Sequence, residues 1–306
     1  LSDSTKALPA FMVDDAEKPE IFVGTFMAMV HDGRACSLPG QVPKVYTNMD
    51  QAIAYCRAKG PGWHCMTNAE YAAIALWCKA NGYYPRGNNN YGSDHGYPHE
   101  KCRPGTVESD GRINLGLTGS GPNSWTHDGT PNGIYGLNGD AVEWAIGLRT
   151  NNGEIQILAG NNAAKNTADL TAGSAEWKAI LPDGTMVAPG TAGTLKIDIV
   201  SGVPKISTTV KTTTSGDQWP STPFKDLAVE SGITIPDILK ALAVFPSDSS
   251  DHGGDRLWAR NDGEKCFYRG GAWSNTSDAG VFFLNGFDPR SSSYGSVGFR
   301  PAYILL

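Results

Sequence analysis

Apolar positions recur at two different periods along this chain, and the period changes from segment to segment. Residues 21–30 read Ile-Phe-Val-Gly-Thr-Phe-Met-Ala-Met-Val, a nearly continuous apolar, β-leaning run that predicts a strand. His31-Asp-Gly-Arg34 then predicts a tight turn, because Asp-Gly suits the left-handed positions of a two-residue hairpin. Over 48–59, Met49, Ala52, Ile53 and Cys56 stand at helical spacing, and Gly60-Pro61-Gly62 stops that helix. Thr67-x-x-Glu70 is a capping box; the helix it opens runs through Tyr71, Ile74, Ala75 and Cys78, with Gly82 as its C′ residue. Residues 85–136 then lose all periodicity, and more than half of them are Gly, Asn, Pro, Ser or Asp. An irregular segment that long in a compact domain is functional, or is held by metals and side-chain hydrogen bonds. Over 137–148 aromatic and apolar packing returns around Trp144.

Residues 161–223 change character again, being rich in Thr, Ala and Gly with β-like runs at 194–200 and 205–213. They read as an insertion in a single host domain spanning 1–306. A short helix is expected over 236–244 with Pro236 at N1. Asp248, Asp251, His252 and Asp255 read as a solvated acidic loop. The last segment alternates anchors with small polar residues. Gly270, Gly271 and Gly298 suit tight backbone positions, and Trp273, Val281, Phe282, Leu284, Phe299 and Ile304 supply core mass. Between them lie Ser, Gly, Tyr and Phe, the residue types with which antibody loops make contacts. From 274 to 300 there is no Lys, Glu, Gln or Met, although an exposed loop normally uses Lys and Glu freely.

Composition narrows the classes. The 306 residues permit one large domain or two ordinary ones. A net charge of -6 argues against a nucleic-acid partner, which needs a basic face. No apolar run is long enough for a membrane span, and Leu1-Ser2-Asp3-Ser4 lacks the regions of a signal peptide. The six cysteines contain no C-x-x-C pair and read as buried or half-buried thiols, since a chain this long needs no disulfide staples.

Several segments together carry a resemblance. Thr67-Asn-Ala-Glu-Tyr-Ala-Ala-Ile-Ala-Leu-Trp77, then Asn132-Gly-Ile-Tyr-Gly-Leu-Asn-Gly-Asp-Ala-Val-Glu-Trp144, then Arg269-Gly-Gly-Ala-Trp273 and Gly298-Phe-Arg300 resemble, in order, the motifs of formylglycine-generating-enzyme-like domains. The resemblance implies an α+β, C-type-lectin-like fold of the formylglycine-generating-enzyme type, with much irregular structure. Within that group, Cys56 to Thr67, Pro85-Arg-Gly-Asn-Asn-Asn-Tyr-Gly92 and the 269–300 pattern look like the variable proteins of diversity-generating retroelements. In such systems a reverse transcriptase copies a template with errors at adenines and rewrites the 3′ end of the gene. Asn codons of the form AAY, altered in their first two bases, never yield Lys, Glu, Gln, Met or Trp, and none of these follows Trp273.

The resemblance implies a non-enzymatic receptor-recognition protein with 255–306 as its C-terminal variable segment. The expected contact residues are Ala272, Ser274, Asp278, Phe283, Gly286, Phe287, Asp288, Ser292, Tyr294, Gly295 and Ser296, forming one exposed patch. Phe283, Phe287 and Tyr294 would be its aromatic anchors, with Phe283 facing away from Phe282 and Leu284. The partner would be a protein or glycan on a target cell surface, and the protein would sit on a phage virion tail or a bacterial surface. The alternative is a formylglycine-generating-enzyme-like enzyme or a sugar-binding lectin of fixed specificity. That enzyme uses two Cys between its Arg-Gly-Gly and Gly-Phe-Arg segments for copper, and none lies between Trp273 and Phe299 here. His95, His99 and Cys102 do not make a zinc helix, because Gly96 and Pro98 interrupt it. No cofactor is required; the resemblance implies structural calcium at Asn138, Gly139, Ala141 and Glu143, with a buried, hydrogen-bonded Glu143 as the equal alternative.

Overall fold

The computed structural model describes residues 6–214 and 216–305. Leu1 to Ser4, where no signal peptide is expected, lie outside the described residues.

The architecture is mixed α/β, mostly sheet with few helices. The spine is a twisted sheet whose strands run in the order Ser221–Pro223, Arg256–Ala259, Leu284–Asp288, Glu264–Arg269, Val142–Asn151, Glu154–Ile157, Lys196–Val200, Val203–Ser207 and Ala228–Val229. Nearly every side chain of Val142–Asn151 is buried, on both faces. The reason is that each face carries its own core. Trp144 and Ile146 pack with Tyr268, Cys266, Phe283 and Trp177 on one side, against helix α1 (Met49–Arg57). Leu148, Phe267, Leu284 and Leu257 pack on the other, against α2 (Asn68–Ala80). A strand buried on both faces reads as a continuous apolar run rather than an alternating one.

Helix ends follow the side chains the sequence supplies. Thr67 Oγ1 accepts the Glu70 N–H while Glu70 accepts the Thr67 N–H, and Gly82 takes φ +63 beyond the last turn of α2. Asn48 and Gln51 make a second capping box on α1. Over 236–244 the helix is α3 (Asp237–Ala241), and Pro236 is its N-cap, one position earlier than expected. The run 21–30 is two strands, Phe22–Val23 and Ala28–His31, because Gly24 lies so close to the Pro301 carbonyl that a Cβ there would stand 2.9 Å from its oxygen. Ala28–His31 and Arg34–Ser37 form the expected hairpin, with Asp32 and Gly33 both at positive φ.

Residues 161–223 supply strands to the spine: Lys196–Val200 pairs with Glu154–Ile157 and forms a hairpin with Val203–Ser207. The 85–136 segment contains no α-helix and is tied by side chains. Glu100 accepts from Arg86, Ser124 and the Trp125 indole, and Asn88 bridges to Asp140. All six cysteines are free thiols, five buried and Cys36 half-buried. Among the described residues no helix is long and apolar enough to cross a membrane.

The acidic loop departs from expectation. Asp248 is exposed beside Lys79, but His252 and Asp255 are buried. Asp255 accepts the Phe282 N–H at 2.6 Å, and a Cβ on Gly280 would stand 2.2 Å from its carboxylate. Burial pushes its carboxyl well above the usual range. It is an internal post for the turn before Leu284–Asp288, not a solvated charge.

Candidate ligand-binding face

Two fully buried arginines bracket the C-terminal segment. Arg269 ends its strand and donates Nε and Nη2 to Asn68 Oδ1, at 3.0 and 2.7 Å, and Nη2 to the Leu242 and Ala243 carbonyls. Burial lowers its pKa to about 10, so the guanidinium stays charged at neutral pH. Arg300 grips Glu143 through two parallel bonds, Nε to Oε2 at 2.9 Å and Nη2 to Oε1 at 2.7 Å, and donates Nη1 to the Gly24 carbonyl. Planar bidentate pairing of this kind fixes orientation as well as charge.

That pairing bears on the calcium expectation. Both Glu143 oxygens accept from Arg300. Asn138 Oδ1 accepts from Asn89 while its Nδ2 donates to the Pro85 carbonyl. Paired in this way, Glu143 has no oxygen free of a hydrogen bond to offer calcium. Glu143 is placed as a buried, hydrogen-bonded carboxylate, the alternative the sequence left open. His95 and His99 are exposed while Cys102 is buried with its Sγ on the Gly92 carbonyl, so these three do not converge either.

Between the arginine posts the scaffold holds the segment largely by its backbone. The Tyr46 N–H donates to the Tyr294 carbonyl, Met49 N–H to Arg290, Val142 N–H to Ser296 and Tyr91 N–H to Trp273. The Thr276 N–H reaches back to the Asn89 carbonyl. Gly270 and Gly271 both take positive φ, and a Cβ on Gly271 would lie 2.5 Å from that of Ala279. Side-chain ties are added where Arg290 pairs with Asp50 and donates to the Leu170 carbonyl, and where Asp278 faces Arg256.

The structure divides the expected contact residues. Ser274 is exposed, Tyr294 is 49% exposed, and Asp278, Asp288, Ser292, Gly295 and Ser296 are half-buried at the surface. Four others are core. Phe283 does point away from Phe282 and Leu284, but the sheet is covered on both sides, so it enters the second core. Ala272 lies in that same core. Gly286 is packed beneath Phe267, whose ring a Cβ would meet at 2.5 Å. Phe287 is 3% exposed, roofed by Trp219, Trp258 and Arg260. Trp273, expected as a buried anchor, is half-buried between the second core and the smaller cluster around Met27.

The surface residues form a connected polar rim. Ser292 Oγ and Tyr294 Oη both donate to Asp288 Oδ1 at 3.4 Å, and burial raises the Asp288 carboxyl above the usual range despite nearby Arg260. Asp278 is likewise raised by burial, with Arg256 at 4.0 Å opposing it. Beneath the rim the Tyr268 hydroxyl is buried without a partner. Tyr46, 67% exposed, stands against Gly295. Sequence reasoning missed Tyr46, Trp219, Arg256, Trp258 and Arg260. The last three carried a signal: in Arg-Leu-Trp-Ala-Arg, Leu257 and Ala259 are fully buried and the alternate residues point outward.

No protein-family model matches the chain, and no curated protein matches it. Among solved structures it is similar to Treponema denticola variable protein 1, at 12% identity over 90% of this chain and 75% of that chain, with a TM-score of 0.31. A superposition that weak supports neither a shared fold nor a shared role, and we take neither from it.

Proposed function

We infer that this chain is a non-enzymatic ligand-binding protein whose C-terminal surface residues are diversified by a retroelement, on a C-type-lectin-like scaffold of the formylglycine-generating-enzyme type. The sequence motifs around Thr67, Trp144, Arg269 and Arg300 support the scaffold. The observation that carries the function is the mode of attachment of 273–296. The scaffold holds this segment through main-chain bonds at Trp273, Thr276, Arg290, Tyr294 and Ser296 and through the buried side chains of Val281, Phe282, Phe283, Leu284 and Phe287. Ser274 and Tyr294 are exposed, and Ser292 and Ser296 are half-buried at the surface, outside both large cores. A face built so can change its chemistry while keeping its shape. The missing Lys, Glu, Gln and Met after Trp273 match diversification of AAY codons.

The partner is a protein or glycan on a target cell surface, met from a phage tail or a bacterial surface. The one cysteine near the segment, Cys266, is buried with its thiol pushed up to about 12, which leaves it a poor metal ligand or nucleophile. The decisive observation is genomic. A near-copy of the last coding segment, differing only at adenines and lying beside a reverse transcriptase gene, is expected. A fixed gene end with no such copy overturns the reading. In the laboratory, a library randomised at Ser274, Ser292, Tyr294 and Ser296 is expected to yield folded members with distinct ligands; loss of folding in most members overturns it as well.

A further inference from the structure

The rim described above continues onto a shelf to which a strap outside the C-terminal segment adds Trp219. Trp219 is 67% exposed, and its ring stands edge-on to Phe287 at 5.1 Å. The Arg260 guanidinium lies over both rings, 4.9 Å from Trp219 and 4.6 Å from Phe287. Trp258 flanks Phe287 at 5.8 Å with Arg256 above it. The Trp258 indole N–H is buried without a partner.

An exposed tryptophan held this way is unusual in its rigidity. The carbonyl before it, Gln218 O, accepts Arg260 Nε at 2.8 Å, and the carbonyl after it, Pro220 O, accepts the Ala259 N–H. Pro220 restricts Trp219 to extended backbone. Upstream, the buried Asn261 side chain accepts the Thr214 N–H at 2.8 Å. Downstream the strap enters the strand Ser221–Pro223. Little conformational freedom remains to be lost when a partner covers the ring.

We propose that Trp219, Trp258, Arg256 and Arg260 form a fixed docking shelf for a folded protein partner that presents carboxylate side chains. The proposal rests on the ligand-binding reading above and extends its face from Arg256, Trp258 and Arg260, at the start of the 255–306 segment, to Trp219 on a strap outside it. Three observations favour this occupant. Trp, Tyr and Arg are the residue types that dominate protein interfaces when rigid and clustered, and Tyr46 and Tyr294 continue the set. Arg260 lies near the Asp288 carboxyl without a direct ion pair among the described residues, so its flat, ring-backed cation can take a further acidic group. The molecule's large clefts, of about 440, 510 and 760 Å³, are lined by other residues, and a small sugar prefers concavity to a shelf. A constant Trp219 beside a changing rim would supply affinity for a common partner type, while the rim selects among its members.

The test selects binders to the intact chain from a display library of a small helical scaffold randomised on one surface, alongside an array of neutral and acidic oligosaccharides. Binders enriched in Asp and Glu that weaken at least tenfold on Trp219→Ala and on Arg260→Glu, with melting temperature unchanged, support the shelf. Arg260→Lys is expected to fall between, since it keeps charge without the planar stack. Binders that depend on Tyr294 and Ser292 but not on Trp219 overturn the shelf and leave the diversified-face reading intact. Binders indifferent to both overturn both. Trp219-dependent capture of oligosaccharides alone overturns the protein partner.

Discussion

At the scale of single residues, the tightest constraints lie where a side chain has no room or no water. Gly286 was expected to vary, yet its Cβ position is taken by the Phe267 ring. Gly286→Ala is therefore expected to cost about 1–3 kcal/mol, the usual range for overpacking a dense core. Urea melts at neutral pH measure it, and a neutral result returns Gly286 to the binding face. Asp140 is constrained by charge instead. It sits at φ +60, and its Oδ1 accepts Asn88 Nδ2 and the Gly116 N–H, each at 2.8 Å. Burial pushes its carboxyl up to about 6. A carboxyl raised on folding binds its proton more tightly in the native state, so stability falls as pH climbs from about 4 towards 6. The full swing is roughly 3 kcal/mol for a shift near two units. Asp140→Asn keeps the Oδ1 acceptor and tolerates positive φ, so it is expected to stabilise the protein at pH 7 by about 1–3 kcal/mol and to flatten that slope. Denaturation series at pH 4.5 and 7 decide it; an unchanged slope means Asp140 does not carry this proton linkage.

At the scale of elements, the entry to α2 shows what a local pattern reveals and what it hides. Thr-x-x-Glu announces the capping box from four residues alone. Nothing local announces that Glu70 Oε1 also meets His64 Nε2 at 2.7 Å and Asn161 Nδ2 at 2.9 Å. His64 Nδ1 faces the Gly62 carbonyl at 2.9 Å, so both ring nitrogens face acceptors, an arrangement that favours the protonated imidazole. Burial opposes that charge, but Glu70 outweighs it and the His64 pKa rises. Its contribution is present below about 6.5 and fades as pH rises through the higher folded value. Glu70→Gln is expected to cost about 3–5 kcal/mol, because it strands a buried imidazolium, and to bring the His64 titration down. Proton NMR of the His64 ring checks the second effect independently of stability. The same division of legibility governs 281–284. Alternation correctly sent Phe283 and Leu284 to opposite faces, but no sequence period states that both faces are roofed. Likewise Glu143 was visible as a special carboxylate, while its partner Arg300 lies 157 residues away and only folding brings the two together.

At the scale of the whole molecule, the cores and the surface side chains of the C-terminal segment are built from different atoms. Two cores sandwich the sheet, and Arg269 and Arg300 tie the ends of the C-terminal segment into them. What remains outside that tie is a set of side chains whose backbone carbonyls and amides carry the attachment. Simultaneous replacement of Ser274, Ser292, Tyr294 and Ser296 should then be nearly neutral, within about 0.5 kcal/mol for each site, as for surface positions generally. Ser292 and Tyr294 are the exception to additivity, since both donate to Asp288 Oδ1. Their double replacement should differ from the sum of the singles by about 0.5 kcal/mol or more, because they share a partner. Arg300→Ala provides the contrast: it leaves Glu143 as an unpaired buried carboxylate and should cost about 3–5 kcal/mol. Thermal melts of the four singles, the 292/294 double, the quadruple and Arg300→Ala measure the whole set together. A quadruple variant as damaged as Arg300→Ala would mean that the face is part of the core's support, and that a chain built this way could not survive having its surface rewritten.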